Sequence, residues 1–143
     1  MKTILIIEDN GSVSGNLKKH LEDYKVLIAY DYPLALDIWE EEKDSIDCII
    51  MDLRISCIGI DLEIQNRYDP FYSLAILEEF CKGKSDEERR AIRKKTIIYS
   101  AYLEQLRSSK ICSDININDI TSIEKTSTSS ITILETIKDL IGK

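Results

Sequence analysis

The sequence is poor in the features that mark several common chemistries. It has a single histidine, His20, in 143 residues. Neither a histidine-rich metal site nor a Ser-His-Asp triad finds support in one histidine, and His20 itself is expected on a helix flank. The four cysteines, Cys48, Cys57, Cys81 and Cys112, form no CxxC pair and no metal-type spacing. Cys48 stands inside an apolar run, which predicts a buried thiol rather than a ligand or nucleophile. Positive charge is also short: 19 Lys and Arg against 26 Asp and Glu leave a net charge of -7. That balance argues against a broad nucleic-acid footprint and is equally poor for an anionic membrane surface. No apolar run reaches the roughly 20 residues of a membrane helix, and "MKTILII" is too short for a signal peptide and is followed at once by acids. Without a secretion signal, the "NGS" sequon at Asn10 to Ser12 reads as chance. Neither repeats nor a flexible linker are visible. These absences leave one cytoplasmic domain over residues 1–143, long enough to bury a core.

What is present is alternation. Short β-branched runs alternate with longer amphipathic stretches, the pattern of βα units around a parallel sheet. Strands are predicted at Thr3–Ile7, Val26–Tyr30, Asp47–Met51, Thr96–Ser100 and Ile120–Glu124. They are apolar nearly throughout, as strands covered on both faces are. Val13, Leu17, Leu21 and Tyr24 predict a helix after the first strand. Pro33 suits the first turn of a second helix through Ile38 and Trp39, with Trp39 in the core. Leu74, Leu77 and Phe80 mark a third, "AYLEQLRSS" a fourth, and Ile131, Leu134, Ile137 and Ile141 a final one. The Ser56–Lys95 segment exceeds a simple crossover and forms an enlarged connection between strands three and four. Within it, Ser85 and Glu88 have capping-box spacing, and acids precede bases, so Asp86–Lys95 reads as a short solvated helix.

Four of the five strands end on a residue able to do chemistry. Glu8 and Asp9 follow strand one, Asp52 follows strand three, Ser100 ends strand four and Lys125 follows strand five. Open parallel α/β sheets bind ligands beyond the carboxyl ends of their strands, at the topological switch point. Taken singly, an Asp or Ser at a strand end is most often a turn or cap residue. Taken together, three carboxylates, a hydroxyl and an ammonium predict one shallow pocket. Clustered carboxylates repel unless a cation sits among them, and Mg2+ suits such oxygen ligands. Attack by Asp52 on a phosphoryl group, with Lys125 and a cation neutralising its oxygens and Ser100 donating to it, would give an aspartyl phosphate.

The order "IIEDN … IIMDLR … IIYSA … IEK" resembles the receiver domain of bacterial two-component response regulators, over Lys2 to Ile141. The resemblance implies a doubly wound, five-stranded parallel sheet of the flavodoxin-like α/β class. It also implies phosphotransfer from a histidine kinase or a phosphotransfer protein onto Asp52. Asp9 matches the direct Mg2+ ligand, Glu8 the acid that reaches the metal through water, and Arg54 the position whose backbone carbonyl ligates it. Ser100 and Lys125 match the pair that contacts the phosphoryl oxygens and reports phosphorylation. The chain would then be a phosphoacceptor rather than an enzyme, with only self-catalysed phosphorylation and dephosphorylation.

This sequence departs from the family's pattern at several positions. Thr126 stands where proline usually follows the lysine, Ser122 where an aromatic switch residue is common, and Ser56 and Cys57 where a Pro-Gly turn is typical. Phosphorylation chemistry is expected to be kept and the output switch changed. Arg54 and Tyr102, each two positions past a site residue, are expected to hinder hydrolytic water and prolong the phosphorylated state, unless both simply point to solvent. A haloacid-dehalogenase or Toprim site would need Asp-x-Asp where "DLR" stands. A flavodoxin would need a hydroxyl- and glycine-rich loop where "EDNGS" places two acids. A receiver-like interaction module that is never phosphorylated stays open. Past Lys125 only a closing helix fits, so no DNA-binding output is expected. Action would come through docking to an unidentified protein, through a homodimer, or as a relay intermediate.

Overall fold

The structure is a computed structural model that describes residues 1–111, 116–126 and 129–142. Five strands, β1 (Thr3–Ile7), β2 (Lys25–Ala29), β3 (Ile46–Met51), β4 (Thr96–Ser100) and β5 (Thr121–Glu124), form one sheet. Their spatial order is β2-β1-β3-β4-β5, and every pairing is parallel. This is the flavodoxin-like doubly wound order, with its switch point between β1 and β3. The strands read as continuous apolar runs because both faces are covered: all five residues of β1 and of β4 are buried.

Alternation sorts the strand side chains into two layers. Leu5, Ile7, Ile49, Met51 and Ile98 face α2 (Tyr32–Glu42), α4 (Ser73–Cys81), α5 (Asp86–Lys94) and α6 (Leu103–Arg107). Trp39 stacks on Phe80 in this layer with ring centroids 4.1 Å apart, the core role expected of it. Ile4, Ile6, Cys48, Ile50, Ile97 and Tyr99 face α1 (Gly11–His20) and α7 (Ser129–Ile141). Burial pushes the Cys48 thiol up to about 12, so it stays protonated as an inert apolar group. Cys57 and Cys81 are also free thiols; Cys112 lies outside the described residues. No helix among the described residues is long and apolar enough to cross a membrane.

Capping explains several helix starts. Asn10 accepts from the amides of Ser12 and Val13, Asp31 accepts from Leu34 N at 2.9 Å, and Pro33 sits in the first turn of α2. Ser85 and Glu88 form both bonds of the capping box, at 3.2 and 3.1 Å. His20 is the last residue of α1 and is exposed.

Some expectations are corrected. Leu21 and Tyr24 are buried but lie past the end of α1, where Tyr24 donates to Gly142 O at 3.0 Å. Tyr30 falls outside β2 and is 60% exposed; Lys25 joins the strand instead, pairing with Thr3. In α7 the buried pair is Ile133 and Ile137, while Ile131 is 62% exposed. The fourth expected helix shrinks to the five residues of α6. Between β3 and β4 the crossover carries α3 (Leu62–Tyr68), which sequence periodicity did not reveal, together with α4 and α5.

Candidate functional site

Sheet register brings the strand ends level. Ile7 pairs with Met51, and Met51 with Ile98, so the residues that follow β1 and β3 emerge side by side at the switch point. The ladder continues one bond past each strand: Asp52 N donates to Ile7 O at 3.0 Å, Glu8 N to Ala29 O at 3.0 Å, and Lys125 N to Ser100 O at 3.1 Å. These bonds fix the backbones of three expected site residues before any side-chain contact forms.

The side chains then converge. Lys125 reaches across the end of β4, and its Nζ lies 2.7 Å from Glu8 Oε1 and 3.0 Å from Asp52 Oδ2. The three side chains are 3, 12 and 21% exposed for Glu8, Asp52 and Lys125, so little water screens them. Burial raises the Glu8 carboxyl to about 7, with the nearby Asp52 charge adding to the rise and the Lys125 ammonium opposing it. Burial pulls Lys125 the other way, but its bonds to Glu8 and Asp52 outweigh that and raise it above the usual lysine range. Asp52 Oδ1 is buried and has no hydrogen-bond partner among the described residues.

The other expected members are placed around this trio. Ser100 is fully buried at the end of β4, and its Oγ accepts from Tyr102 N–H at 3.1 Å. Asp9 is exposed and makes no side-chain hydrogen bond or ion pair among the described residues. The expected triad of acids around one cation is therefore a pair here, joined by the lysine ammonium. Among the described residues no three His, Cys, Asp or Glu side chains form a metal-holding group. The donor set nonetheless fits a hard divalent cation in its chemistry: every donor is oxygen, and Asp52 Oδ1 is a buried oxygen left without a partner. Arg54 and Tyr102 do not point separately to solvent. The guanidinium carbon of Arg54, an exposed residue, lies 4.0 Å from the centre of the Tyr102 ring, which pairs the residues two positions past Asp52 and Ser100.

Two residues that sequence reasoning missed connect the site to α7. Lys125 Nζ lies 5.5 Å from the Tyr99 ring centre, and the Tyr99 hydroxyl is hydrogen-bonded to Ser129 Oγ. Thr126, where proline is usual, uses its amide: its N–H donates to Ser129 Oγ at 3.0 Å. Tyr99 lay hidden because it reads as one more apolar residue of β4. After β3, Ser56 Oγ accepts from Ile58 N at 3.1 Å, and Gly59 (φ +79°) completes the turn against Pro33.

No family profile and no curated protein matches the sequence. Solved structures do. A CheY-like response regulator receiver domain protein from Methanospirillum hungatei JF-1 is 22% identical, with a TM-score of 0.64 over 97% of this chain and 92% of that one. The response regulator TrrA from Thermotoga maritima, in complex with Mg(2+)-BeF, is 21% identical, with a TM-score of 0.67 over 98% and 99%. The receiver domain of the sensor histidine kinase PA1611 from Pseudomonas aeruginosa PAO1, with a magnesium ion coordinated in its active-site cleft, is 18% identical, with a TM-score of 0.65 over 99% and 98%. At these identities the likeness establishes the fold, which is that of response regulator receiver domains.

Proposed function

We propose that the protein is a phosphoacceptor signalling domain whose Asp52 takes a phosphoryl group from a phosphohistidine of a histidine kinase or phosphotransfer protein. The observation that carries this reading is the Lys125 ammonium held between Glu8 and Asp52, with Asp52 Oδ1 buried and unpartnered. A carboxylate oxygen of Asp52 attacks phosphorus, the donor's P–N bond breaks, and the imidazole leaves with the bonding electron pair and takes up a proton. The product is an acyl phosphate on Asp52. Lys125 needs only a small swing of its ammonium to exchange Asp52 Oδ2 for a phosphoryl oxygen. Ser100 can donate to another phosphoryl oxygen once its hydroxyl hydrogen is turned outward, because its present bond from Tyr102 N uses only a lone pair.

Glu8, Asp9, Asp52 and the backbone carbonyl of Arg54 would hold Mg2+, which when bound supplies positive charge opposite the phosphoryl oxygens. The magnesium in the TrrA and PA1611 structures supports this cofactor. The chain is then not an enzyme with a separate substrate; its turnover is its own phosphorylation and dephosphorylation. It acts in the cytoplasm by docking to a downstream protein or by forming a homodimer, and it binds neither DNA nor membrane directly.

Mg2+-dependent labelling by acetyl phosphate tests the reading. Wild type is expected to take up one phosphate and Asp52→Asn none. Labelling of neither would leave a receiver-like interaction module, and equal labelling of both would remove Asp52 from the chemistry.

A further inference from the structure

Lys125 is held by more than its two carboxylates. Its ammonium lies 2.7 Å from Glu8 and 3.0 Å from Asp52, and on another side it faces the Tyr99 ring, 5.5 Å from the ring centre. Tyr99 is 8% exposed and packs in the layer between the sheet, α1 and α7. An apolar side chain would fill that place, yet this one carries a hydroxyl bonded to Ser129 Oγ. Ser129 Oγ gives its single hydrogen to Thr126 O at 2.8 Å and accepts from Thr126 N at 3.0 Å, so the tyrosine is the donor. Main-chain bonds close the loop. Tyr99 precedes Ser100, whose carbonyl accepts from Lys125 N at 3.1 Å, and Thr126 follows Lys125. The ring is thereby tied at both ends to the backbone that carries the ammonium.

We propose that Tyr99 is a positioning residue for Lys125: its ring, pinned by Ser129, confines the swing of the ammonium from Asp52 to the incoming phosphoryl group. The inference rests on the phosphoacceptor reading. A lysine side chain is long and rich in rotamers, and its bond to Asp52 Oδ2 is the one given up when a phosphoryl oxygen takes its place. At that moment Glu8 and the ring are what hold the ammonium at the crevice. The negative face of the ring attracts the cation and keeps water from that side, so the order the reaction needs is already paid for in the folded protein. Ser129 acts one step further out, by keeping the ring from sliding along the sheet. A leucine would fill the same space but would offer the ammonium no π face and α7 no hydrogen bond.

Two variants grade the role: Tyr99→Phe keeps the ring and removes its tie, while Tyr99→Leu removes both. The first readout is NMR of the Lys125 ammonium in the unphosphorylated full chain carrying isotope-labelled lysine. Its protons face the ring, so Tyr99→Leu should move them downfield and speed their exchange with water about tenfold. Tyr99→Phe should keep the wild-type shift and exchange about threefold faster, the loss of one hydrogen bond. The second readout is the rate of acetyl phosphate labelling at saturating Mg2+. It is expected to fall about tenfold in Tyr99→Leu and about threefold in Tyr99→Phe. A tyrosine that only fills the core would lower urea stability in both variants and move neither readout, and that result would overturn the proposal. Should Tyr99→Leu fail to fold, wild-type exchange and labelling in Tyr99→Phe would overturn it equally. Absence of labelling in wild type would count against Asp52 as the acceptor, whereas the ammonium spectra decide by themselves whether Tyr99 holds Lys125 in place.

Discussion

Two groups of ion pairs in this molecule use the same residue types under opposite conditions. At the β1–β3 crevice, Glu8, Asp52 and Lys125 are 3, 12 and 21% exposed, and the ammonium lies 2.7 and 3.0 Å from the two carboxylates. At the exposed rim between α3 and α4, Arg67 and Glu78 are 61 and 57% exposed and sit 3.8 Å apart. Water and salt screen the second pair almost completely, while the first is a sealed unit in which each charge depends on the others. Counting ion pairs would rate the two alike. Their depth decides that one is a sealed structural unit, while the other is adjustable.

Lys125→Ala should separate them most sharply. It strands two buried carboxylates and is expected to cost about 3 kcal/mol in urea unfolding. A loss of under about 1 kcal/mol would mean that the crevice is as well screened as the rim, and the contrast would collapse.

Next comes the pH dependence. Glu8 is held at about 7 by burial, against an ordinary value of 4.5. The unfolded chain therefore gives up this proton first, so the stability contributed by protonated Glu8 is full below about 4.5 and is lost as pH rises through about 7. Glu8→Gln cannot ionise. Its unfolding free energy minus that of wild type should become more positive between about pH 5 and about pH 8; a difference that stays flat would show that Glu8 titrates like a surface acid.

A smaller, kinetic effect is expected at the edge of the crevice. Arg54→Asn and Tyr102→Glu each break the pair two positions past Asp52 and Ser100 and should speed loss of phosphate several-fold in a radiolabel chase. Unchanged decay in both would show that the pair does not guard the site. The least effect belongs to the rim, where Arg67→Ala should change stability by less than about 0.5 kcal/mol in the same urea assay. A loss matching that of Lys125→Ala would show that exposure does not discriminate the two groups.

The legible parts of this structure were those set by burial on both faces. β1 and β4 were bounded correctly at Thr3–Ile7 and Thr96–Ser100 because a strand covered above and below is apolar nearly throughout, with Thr3, Thr96 and Ser100 marking its ends. The convergence of Glu8, Asp52 and Lys125 was readable for a related reason: parallel strands deliver their ends to one edge of a sheet. What stayed hidden depended on side-chain direction. In α3 only Tyr68 is buried, Leu62 is 71% exposed, and Asp61 makes no side-chain cap, so no stripe and no start signal announced the helix. In α7, Ile131, Ile133, Leu134 and Ile137 offer two overlapping stripes, and only contact with the sheet selects Ile133 and Ile137. The position of Asp9 in the chain likewise said nothing about its carboxylate standing apart from the Glu8–Asp52 pair.

Gly59 carries a consequence for how a disturbance could spread. A Cβ built on it would lie 2.5 Å from Pro33 Cγ, so the turn after β3 rests directly on the rigid ring that opens α2. With no slack between them, that turn and the first coil of α2 behave as one mechanical part. A displacement starting next to Asp52 would be handed sideways to the β2 margin of the sheet, well away from the lysine and the closing helix.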